Sequence, residues 1–146
     1  MTVNNEVGSI QPINEIRKLA KNATIHTDAV QAFGKIDLST IDADLITISA
    51  HKAHGPKGIG ALYIKNGTKI KNTVFGGGQE FGLRSGTLNV PAISSFGVAV
   101  IQVLDNFDDN NKYINELQCY LIERLNEIED IKINSVDKGN IVNVSF

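Results

Sequence analysis

The chain has 146 residues, of which 42% are hydrophobic and 21% are charged. These proportions are ordinary for one folded domain with a hydrophobic core, and they exclude a disordered chain. The net charge of −2 provides no basic field for a polyanion, so we do not expect nucleic-acid binding. The single cysteine cannot form an internal disulfide, which is typical of a reducing compartment.

The sequence shows no targeting or membrane segment. The start, MTVNNE, lacks the basic and apolar parts of a signal peptide, and no later stretch is long enough to span a bilayer. We therefore expect a cytoplasmic protein without a membrane partner.

In the first half of the chain, predicted strands alternate with helical or mixed connections. Residues 1–3 read as the end of a strand, and Pro12 at a first helical position predicts a short amphipathic helix. Residues 24–28 predict a strand that ends on an aspartate. Residues 45–49 are rich in β-branched side chains, as in a buried parallel strand, and residues 60–64 predict another strand.

The second half is mainly helical. Pro91 starts a helix whose apolar residues repeat at helical spacing. The polar run at residues 105–111 either joins two helices or bends one long helix, and it suggests a domain boundary. A further apolar stripe runs through residues 114–128. Residues 131–133 and 141–146 alternate as half-buried strands, and the chain stops inside the second of them.

Lys52 is the residue on which a functional interpretation depends. It follows the predicted strand at 45–49 and therefore lies at the strand's carboxyl end, where open α/β sheets bind ligands. A lysine amine in that place can condense with an aldehyde cofactor if burial keeps part of it uncharged. Taken alone, the position also fits an ordinary solvated loop lysine.

Four ordered motifs surround or include this lysine. They are HTDAVQ at residues 26–31, SAHK at 49–52 with GPKG at 55–58, GGGQE at 76–80 and RSGT at 84–87. Together they resemble the cofactor-binding segment of the NifS/IscS-type cysteine desulfurases, pyridoxal-phosphate (PLP) enzymes of the class V aminotransferase family. The match covers about half of the chain, and four ordered parts are far more specific than any one of them.

The resemblance implies an α/β fold in two parts. Residues 1–104 would be the C-terminal portion of the large PLP-binding domain of fold type I, a mostly parallel sheet with flanking helices. Residues 105–146 would begin the small C-terminal α+β domain and leave it incomplete. The N-terminal part of the family fold, with the aromatic residue that stacks on the cofactor ring, would precede Met1.

The resemblance also implies a set of cofactor contacts. Lys52 would hold PLP through its amine, Asp28 would keep the pyridine nitrogen protonated, and Gln31 would hydrogen-bond the phenolic oxygen. A carboxylate suits that place because the protonated ring draws electrons from the substrate's α-carbon. Ser49 and His51 match the family's phosphate ligands. Without the resemblance, these would be a turn or capping carboxylate, a strand-edge serine and a satisfied histidine.

Two further residues match family positions. Thr87 corresponds to the residue that family members lend to the phosphate of the neighbouring subunit, so its role requires a dimer; a helix-capping threonine is the alternative. Asn5 corresponds to an asparagine that contacts the cofactor or substrate, although asparagine there also forms turns. His26 and His54 lack partners at metal-ligand spacing, and we assign no metal.

Some parts of the family pattern are missing. In the family, a mobile cysteine thiolate attacks the PLP-bound substrate. Cys119 lies in a predicted helix, outside any loop of that kind, and we interpret it as a bystander. The catalytic cysteine and the arginine for the substrate carboxylate would lie beyond Phe146. Phe81 stands where close relatives often carry arginine.

The main hypothesis is therefore a piece of a cysteine desulfurase, whose full form takes sulfur from L-cysteine and leaves alanine and an enzyme persulfide. The persulfide would serve iron–sulfur cluster or thio-cofactor assembly, so the implied partners are a second subunit and a sulfur-acceptor or iron–sulfur scaffold protein. One alternative is another class V PLP enzyme, such as an aminotransferase or a selenocysteine lyase-type enzyme, which needs no catalytic cysteine. A second alternative is a truncated, non-catalytic chain or an interaction module that pairs with another chain.

Overall fold

The computed structural model describes residues 1–135 and 140–146 and shows an α/β chain, as the sequence predicted. Its main sheet has three strands in the order β1 (His26–Asp28), β2 (Leu45–Ser49) and β3 (Gly60–Ile64). β1 and β2 are parallel, and β3 runs antiparallel to β2. The strand predicted at residues 24–28 is present but begins two residues later than predicted.

The N-terminal residues lie beside β1. The Thr2 N–H donates to the Asp28 carbonyl at 2.7 Å, and the buried hydroxyls of Thr2 and Thr27 are 2.8 Å apart. We predicted that residues 1–3 form the end of a strand. In the structure only Val3 pairs, through an isolated antiparallel bridge to Ile10. Residues 4–9 form the turn that follows, which we call the Asn5 turn. It begins two residues after the contact with Asp28, so it lies near the carboxyl end of β1.

Within the described residues, three α-helices lie where the sequence predicted helical segments. They are α1 (Ile13–Leu19), α2 (Val90–Asp105) and α3 (Phe107–Leu125). Pro12 precedes α1 rather than forming its first helical residue, and α2 begins one residue before Pro91. Asn106, with φ of −112° and ψ of 19°, interrupts the helical backbone, and α2 and α3 meet there at 72°. The polar run at residues 105–111 therefore joins two helices.

The core of the main sheet is built from small and branched side chains. Its buried members are Val3, Ile13, Ala29, Ala32, Ala43 and Ile46. α2 adds a second buried face through Phe96, Ala99 and Val103. The rings of Phe33 and Phe96 meet edge to face, with centroids 6.4 Å apart and planes at 82°. This contact holds α2 against the connection between β1 and β2.

The apolar stripe predicted for α3 is helical, but much of it is exposed. Leu117 and Leu121 expose 49% and 45% of their surface, whereas Gln118 is buried. A helical stripe is buried only where another element lies against it, and periodicity alone does not provide that element. Ile128, which we placed on the same stripe, lies beyond the end of α3.

A second, two-stranded sheet is formed by β4 (Lys132–Ile133) and β5 (Val144–Ser145), which pair antiparallel. Both strands are shorter than the predictions at residues 131–133 and 141–146. Ile141, just before β5, packs against the core of the main sheet. The second sheet is therefore tied to the first part of the chain.

Within the part of the chain that the structure describes, no single helix combines the length and the apolar composition of a membrane span. α2 and α3 meet those criteria only as a pair, across their 72° bend.

Candidate functional site

The carboxyl ends of β1 and β2 bring the proposed cofactor residues to one edge of the sheet. Asp28 is the last residue of β1 and pairs in register with Thr47, and the Ala29 N–H donates to the Thr47 carbonyl at 2.8 Å. β2 ends at Ser49, two residues further on. Lys52 ends the 3-10 turn that follows β2 directly. Asp28 and Lys52 thus lie at the edge where ligands bind in open α/β sheets.

The turn that carries Lys52 is anchored by small residues. Ala50 is fully buried, its N–H donates to the Ile59 carbonyl at 3.1 Å, and its carbonyl accepts from the Gly55 N–H at 2.9 Å. A Cβ on Gly55 would lie only 2.8 Å from the Ala50 Cβ, so glycine is required for this close approach. The Lys52 side chain is exposed, whereas the sequence-based hypothesis required it to be partly buried. A fixed backbone therefore presents an accessible amine.

Ser49 and His51 are hydrogen-bonded to each other beside Lys52. The Ser49 Oγ lies 2.8 Å from the His51 Nδ1. If the hydroxyl donates to Nδ1, the ring proton is on Nε2; if Nδ1–H donates, the hydroxyl proton is available instead. In either case the pair keeps one donor for an anion such as a phosphate.

Asp28 is oriented by its own turn. Its Oδ1 accepts from the Val30 N–H at 2.8 Å, and its side chain is half-buried. A carboxylate that caps its own turn in this way is expected even without a cofactor. The contact uses only one carboxylate oxygen, and the other oxygen can accept further hydrogen bonds. Gln31 is also half-buried and follows in the same connection.

Lys35 is a residue near the site that sequence reasoning missed. Partial burial, and secondarily the positive charge of Lys52, lower the pKa of Lys35 below its ordinary value. Within residues 1–135 and 140–146, Lys35 has no ion pair. Two amines that repel each other without a neutralising carboxylate favour an anionic ligand. No motif could have signalled this, because the proximity of Lys35 and Lys52 arises from the packing of separate segments.

The loop before Thr87 is fixed by internal hydrogen bonds. The buried Ser85 hydroxyl donates to the Gly77 carbonyl at 2.6 Å, and the Gln79 Oε1 accepts from the Gly86 N–H at 3.1 Å. Thr87 itself is exposed. Three residues later α2 begins, and α2 contacts the 3-10 turn that carries Lys52. Thr87 is therefore exposed on a loop whose backbone is constrained.

Phe81 is an exposed aromatic residue in the same loop. Its side chain is 99% exposed, and both Glu80 and Phe81 have a positive φ, at 49° and 58°. Positive φ is uncommon for residues other than glycine and stores backbone strain.

Asn5 lies near the tip of the Asn5 turn and is exposed. The turn itself is formed by its neighbour: the Asn4 Oδ1 accepts from the N–H groups of Glu6 at 2.9 Å and Val7 at 3.0 Å. The turn-forming alternative that we considered for Asn5 thus belongs to Asn4.

The groove on the apolar part of the sheet does not coincide with the proposed cofactor residues. Its volume is about 680 Å³, and none of those residues lines it. Its apolar lining includes Ile46, Ile48, Leu62 and Tyr63.

Cys119 is exposed on α3, outside the sheet edge that carries Lys52. Among the residues that the structure describes, no three His, Cys, Asp or Glu side chains are grouped as metal ligands.

The residues at the sheet edge fit PLP by the chemistry of their donors and acceptors. An accessible amine suits an aldehyde, the Ser49 and His51 pair suits a phosphate, and Asp28 can accept from a protonated ring nitrogen. Within the described residues no hydrogen bond joins Asp28 to Lys52.

The family model described as aminotransferase class V matches residues 1–146, and the chain belongs to that family.

Comparisons with individual proteins are more specific than the family match. The chain is 45% identical to the cysteine desulfurase IscS of Clostridium botulinum, over 100% of this chain and 39% of that protein. A solved NifS-like protein has a TM-score of 0.89 and 38% identity, over 100% of this chain and 42% of its own. SspA, solved in complex with cysteine, has a TM-score of 0.63 and 46% identity, over 68% of this chain and 30% of its own. The chain thus spans well under half the length of the relatives it matches.

Proposed function

We propose that this chain is part of a PLP-dependent cysteine desulfurase and that it holds the cofactor through Lys52. The observation that carries the proposal is the shared sheet edge, where Asp28 ends β1 and Lys52 follows the parallel strand β2. The similarity to a protein named cysteine desulfurase IscS supports the reaction, and the cysteine complex of SspA supports the substrate class.

Each residue at the edge has a part in holding the cofactor. Lys52 attaches it through the amine, and Asp28 keeps a proton on the pyridine nitrogen. Gln31 donates to the phenolic oxygen. Ser49 and His51 supply a hydrogen-bond donor for the phosphate, since their mutual bond leaves one proton directed outward.

When bound, PLP supplies an electron sink for the substrate's α-carbon. With PLP bound, the Lys52 amine would take a proton from that carbon and return one. Asn5 contacts the cofactor or the substrate from the Asn5 turn. Thr87 donates to the phosphate of the second subunit, so the complete site requires a homodimer.

The sulfur transfer itself uses a thiol outside these residues. One L-cysteine and one enzyme thiol give one alanine and one enzyme persulfide, so a carbon–sulfur bond breaks while a sulfur–sulfur bond forms. Cys119 is not that thiol in this proposal, because a residue held on α3 lacks the mobility that the transfer needs. A sulfur-acceptor or iron–sulfur scaffold protein receives the sulfur. A cytoplasmic location remains a prediction.

The direct test is the visible absorbance of PLP mixed with the chain. The wild type should show a band of lysine-bound PLP, and Lys52→Ala should lose it. Lys57→Ala, which removes another exposed lysine from the same segment, is the matched control and should keep the band. Absence of the band in a folded wild type, or its persistence in Lys52→Ala, would count against the proposal.

A chimera tests the reaction in a complete protein. Residues 1–146 replace the matching segment of the Clostridium botulinum relative, and sulfide release from L-cysteine is measured with a reductant. We expect release that depends on Lys52. Transamination without sulfide release would favour another class V enzyme, such as an aminotransferase.

An interaction module is the second candidate, because the chain exposes apolar surface. Leu62 and Tyr63 on the edge strand β3 expose 47% and 55% of their surface beside the 680 Å³ groove. Such an edge can pair with another chain. A monodisperse, folded monomer that binds neither PLP nor a full-length desulfurase would leave this candidate little support.

A further inference from the structure

The second sheet reaches back to the Asn5 turn. The Asn143 Nδ2 donates to the Glu6 carbonyl at 3.3 Å, although the two residues lie at opposite ends of the chain. Glu6 follows Asn5 directly. At the end of the same turn, Gly8 lies against Ile141, since a Cβ on Gly8 would be 3.0 Å from both the Ile141 Cβ and its carbonyl oxygen. Two contacts therefore connect the turn to the residues around β5.

The Asn143 side chain is held in place by its neighbours. Its Oδ1 accepts from the Asn134 Nδ2 at 2.8 Å, and the same Nδ2 lies 2.8 Å from the Ser145 Oγ. The Asn143 backbone N–H donates to the Ser135 Oγ at 2.8 Å. The Asn143 backbone carbonyl accepts from the Asn134 N–H at 2.8 Å. With its oxygen and backbone engaged within the second sheet, Asn143 presents its amide nitrogen to the turn.

The peptide groups on both sides of Glu6 are thus restrained by different elements. The Glu6 N–H donates to the Asn4 Oδ1 within the turn, and the Glu6 carbonyl accepts from Asn143 outside it. The Gly8 N–H closes the turn on the Asn4 carbonyl at 3.1 Å. Because Glu6 follows Asn5 directly and the peptide bond between them is planar, restraining Glu6 on both sides narrows the range of orientations open to Asn5.

We propose that Asn143 is a positioning residue that, through Glu6, orients Asn5 in the turn near the carboxyl end of β1, where Asp28 lies. The proposal rests on the proposed function, in which Asn5 contacts the cofactor or the substrate. It assigns the second sheet a role at the cofactor site: Asn143, held by Asn134 and Ser135, supports the turn from outside the main sheet.

The sharpest variant is Asn143→Asp. The aspartate has the same size and keeps the oxygen that accepts from the Asn134 Nδ2. Its second oxygen replaces the amide group that donates to the Glu6 carbonyl, so that hydrogen bond is lost. Asn115→Asp, on the exposed surface of α3, makes the same chemical change away from the turn and serves as the control. If Asn143→Asp does not fold, Asn143→Ala removes the donor without adding a charge.

The first readout needs no cofactor. Amide hydrogen exchange should become about tenfold faster at Val7 and Gly8 in Asn143→Asp, as expected for loss of one restraining hydrogen bond. Exchange at the Asn134 amide should change little, because the second sheet keeps its own bonds. Asn115→Asp should match the wild type at all three positions. Unchanged exchange in the turn would overturn the proposal whether or not PLP binds.

The second readout separates positioning from stability. The absorbance maximum of PLP bound to the chain should shift in Asn143→Asp in the same direction as in Asn5→Ala, and the double variant should shift no further. A shift in Asn5→Ala alone would overturn the positioning role. If the wild type binds no PLP, the proposed function fails, and hydrogen exchange alone decides whether Asn143 fixes the turn.

Discussion

The Ser49 hydroxyl and the His51 ring form a hydrogen bond of 2.8 Å immediately before Lys52. If this pair holds the PLP phosphate, Ser49→Ala should weaken PLP binding about 10- to 100-fold, since a hydrogen bond to a charged group contributes about 1.5–3 kcal/mol. The change is measured by fluorescence titration with PLP. Ser94→Ala, an exposed serine on α2, is the control and should bind as the wild type does. Equal affinity of the Ser49 variant would remove Ser49 from the phosphate site.

Gly34 makes a close contact with α2. Its φ is +76°, and a Cβ there would lie 2.5 Å from the Val103 Cγ1. We expect Gly34→Ala to lower the free energy of unfolding by about 2 kcal/mol or more, because it combines backbone strain with overpacking. Gly97→Ala is the matched control: Gly97 lies in α2, and a Cβ there would meet nothing within 4 Å. That change should stabilise the chain by about 0.5–1 kcal/mol in urea unfolding.

The buried hydroxyls of Thr2 and Thr27 hold the N-terminal residues against β1, 2.8 Å apart. Thr2→Val leaves the Thr27 hydroxyl with only the Asp28 carbonyl at 3.5 Å, which is a poor hydrogen bond. We expect the single change to cost about 1–3 kcal/mol of unfolding free energy. The double variant Thr2→Val/Thr27→Val should recover part of that loss, since no buried hydroxyl remains. Strictly additive costs in urea unfolding would show that the two hydroxyls are not coupled.

Asp44 connects the start of the main sheet to α1. It accepts from the Ile25 N–H at 2.8 Å and pairs with the Arg17 Nη1 at 2.7 Å. The Ile25 backbone hydrogen bond first, and the Arg17 guanidinium next, hold the pKa of Asp44 below its ordinary value. A carboxyl with a lowered folded-state pKa stabilises the fold fully above its unfolded pKa, about 4, and loses that contribution as pH falls through the folded value.

Asp44→Asn should therefore lower the unfolding free energy near neutral pH and make its decline below about pH 4 less steep. Urea unfolding at a series of pH values measures both effects. Asp109→Asn, on the exposed first turn of α3, is the control and should leave the acid slope close to that of the wild type. An unchanged slope in Asp44→Asn would mean that this carboxylate does not contribute to acid unfolding.

Local patterns in the sequence predicted most of the elements, because those patterns act over a few residues. The β-branched run of β2 and the apolar spacing of α2 are both present in the structure. The polar run at residues 105–111 was compatible with one bent helix or two. The sequence did not choose between them, because Asp and Asn are tolerated both at helix ends and in exposed helix turns. The non-helical backbone at Asn106 shows that there are two helices.

The sequence by itself determined the motif residues, the order of strands and helices, and the family to which they point, because residue type and short spacing carry that information. Only the tertiary structure decided three relationships. Asp28 and Lys52 share a sheet edge through the parallel pairing of β1 and β2, partial burial and secondarily the charge of Lys52 lower the pKa of Lys35, and Asn143 bonds to Glu6. Those relationships join residues far apart along the chain. They depend on strand register and on the packing of separate segments, which no short stretch of sequence specifies.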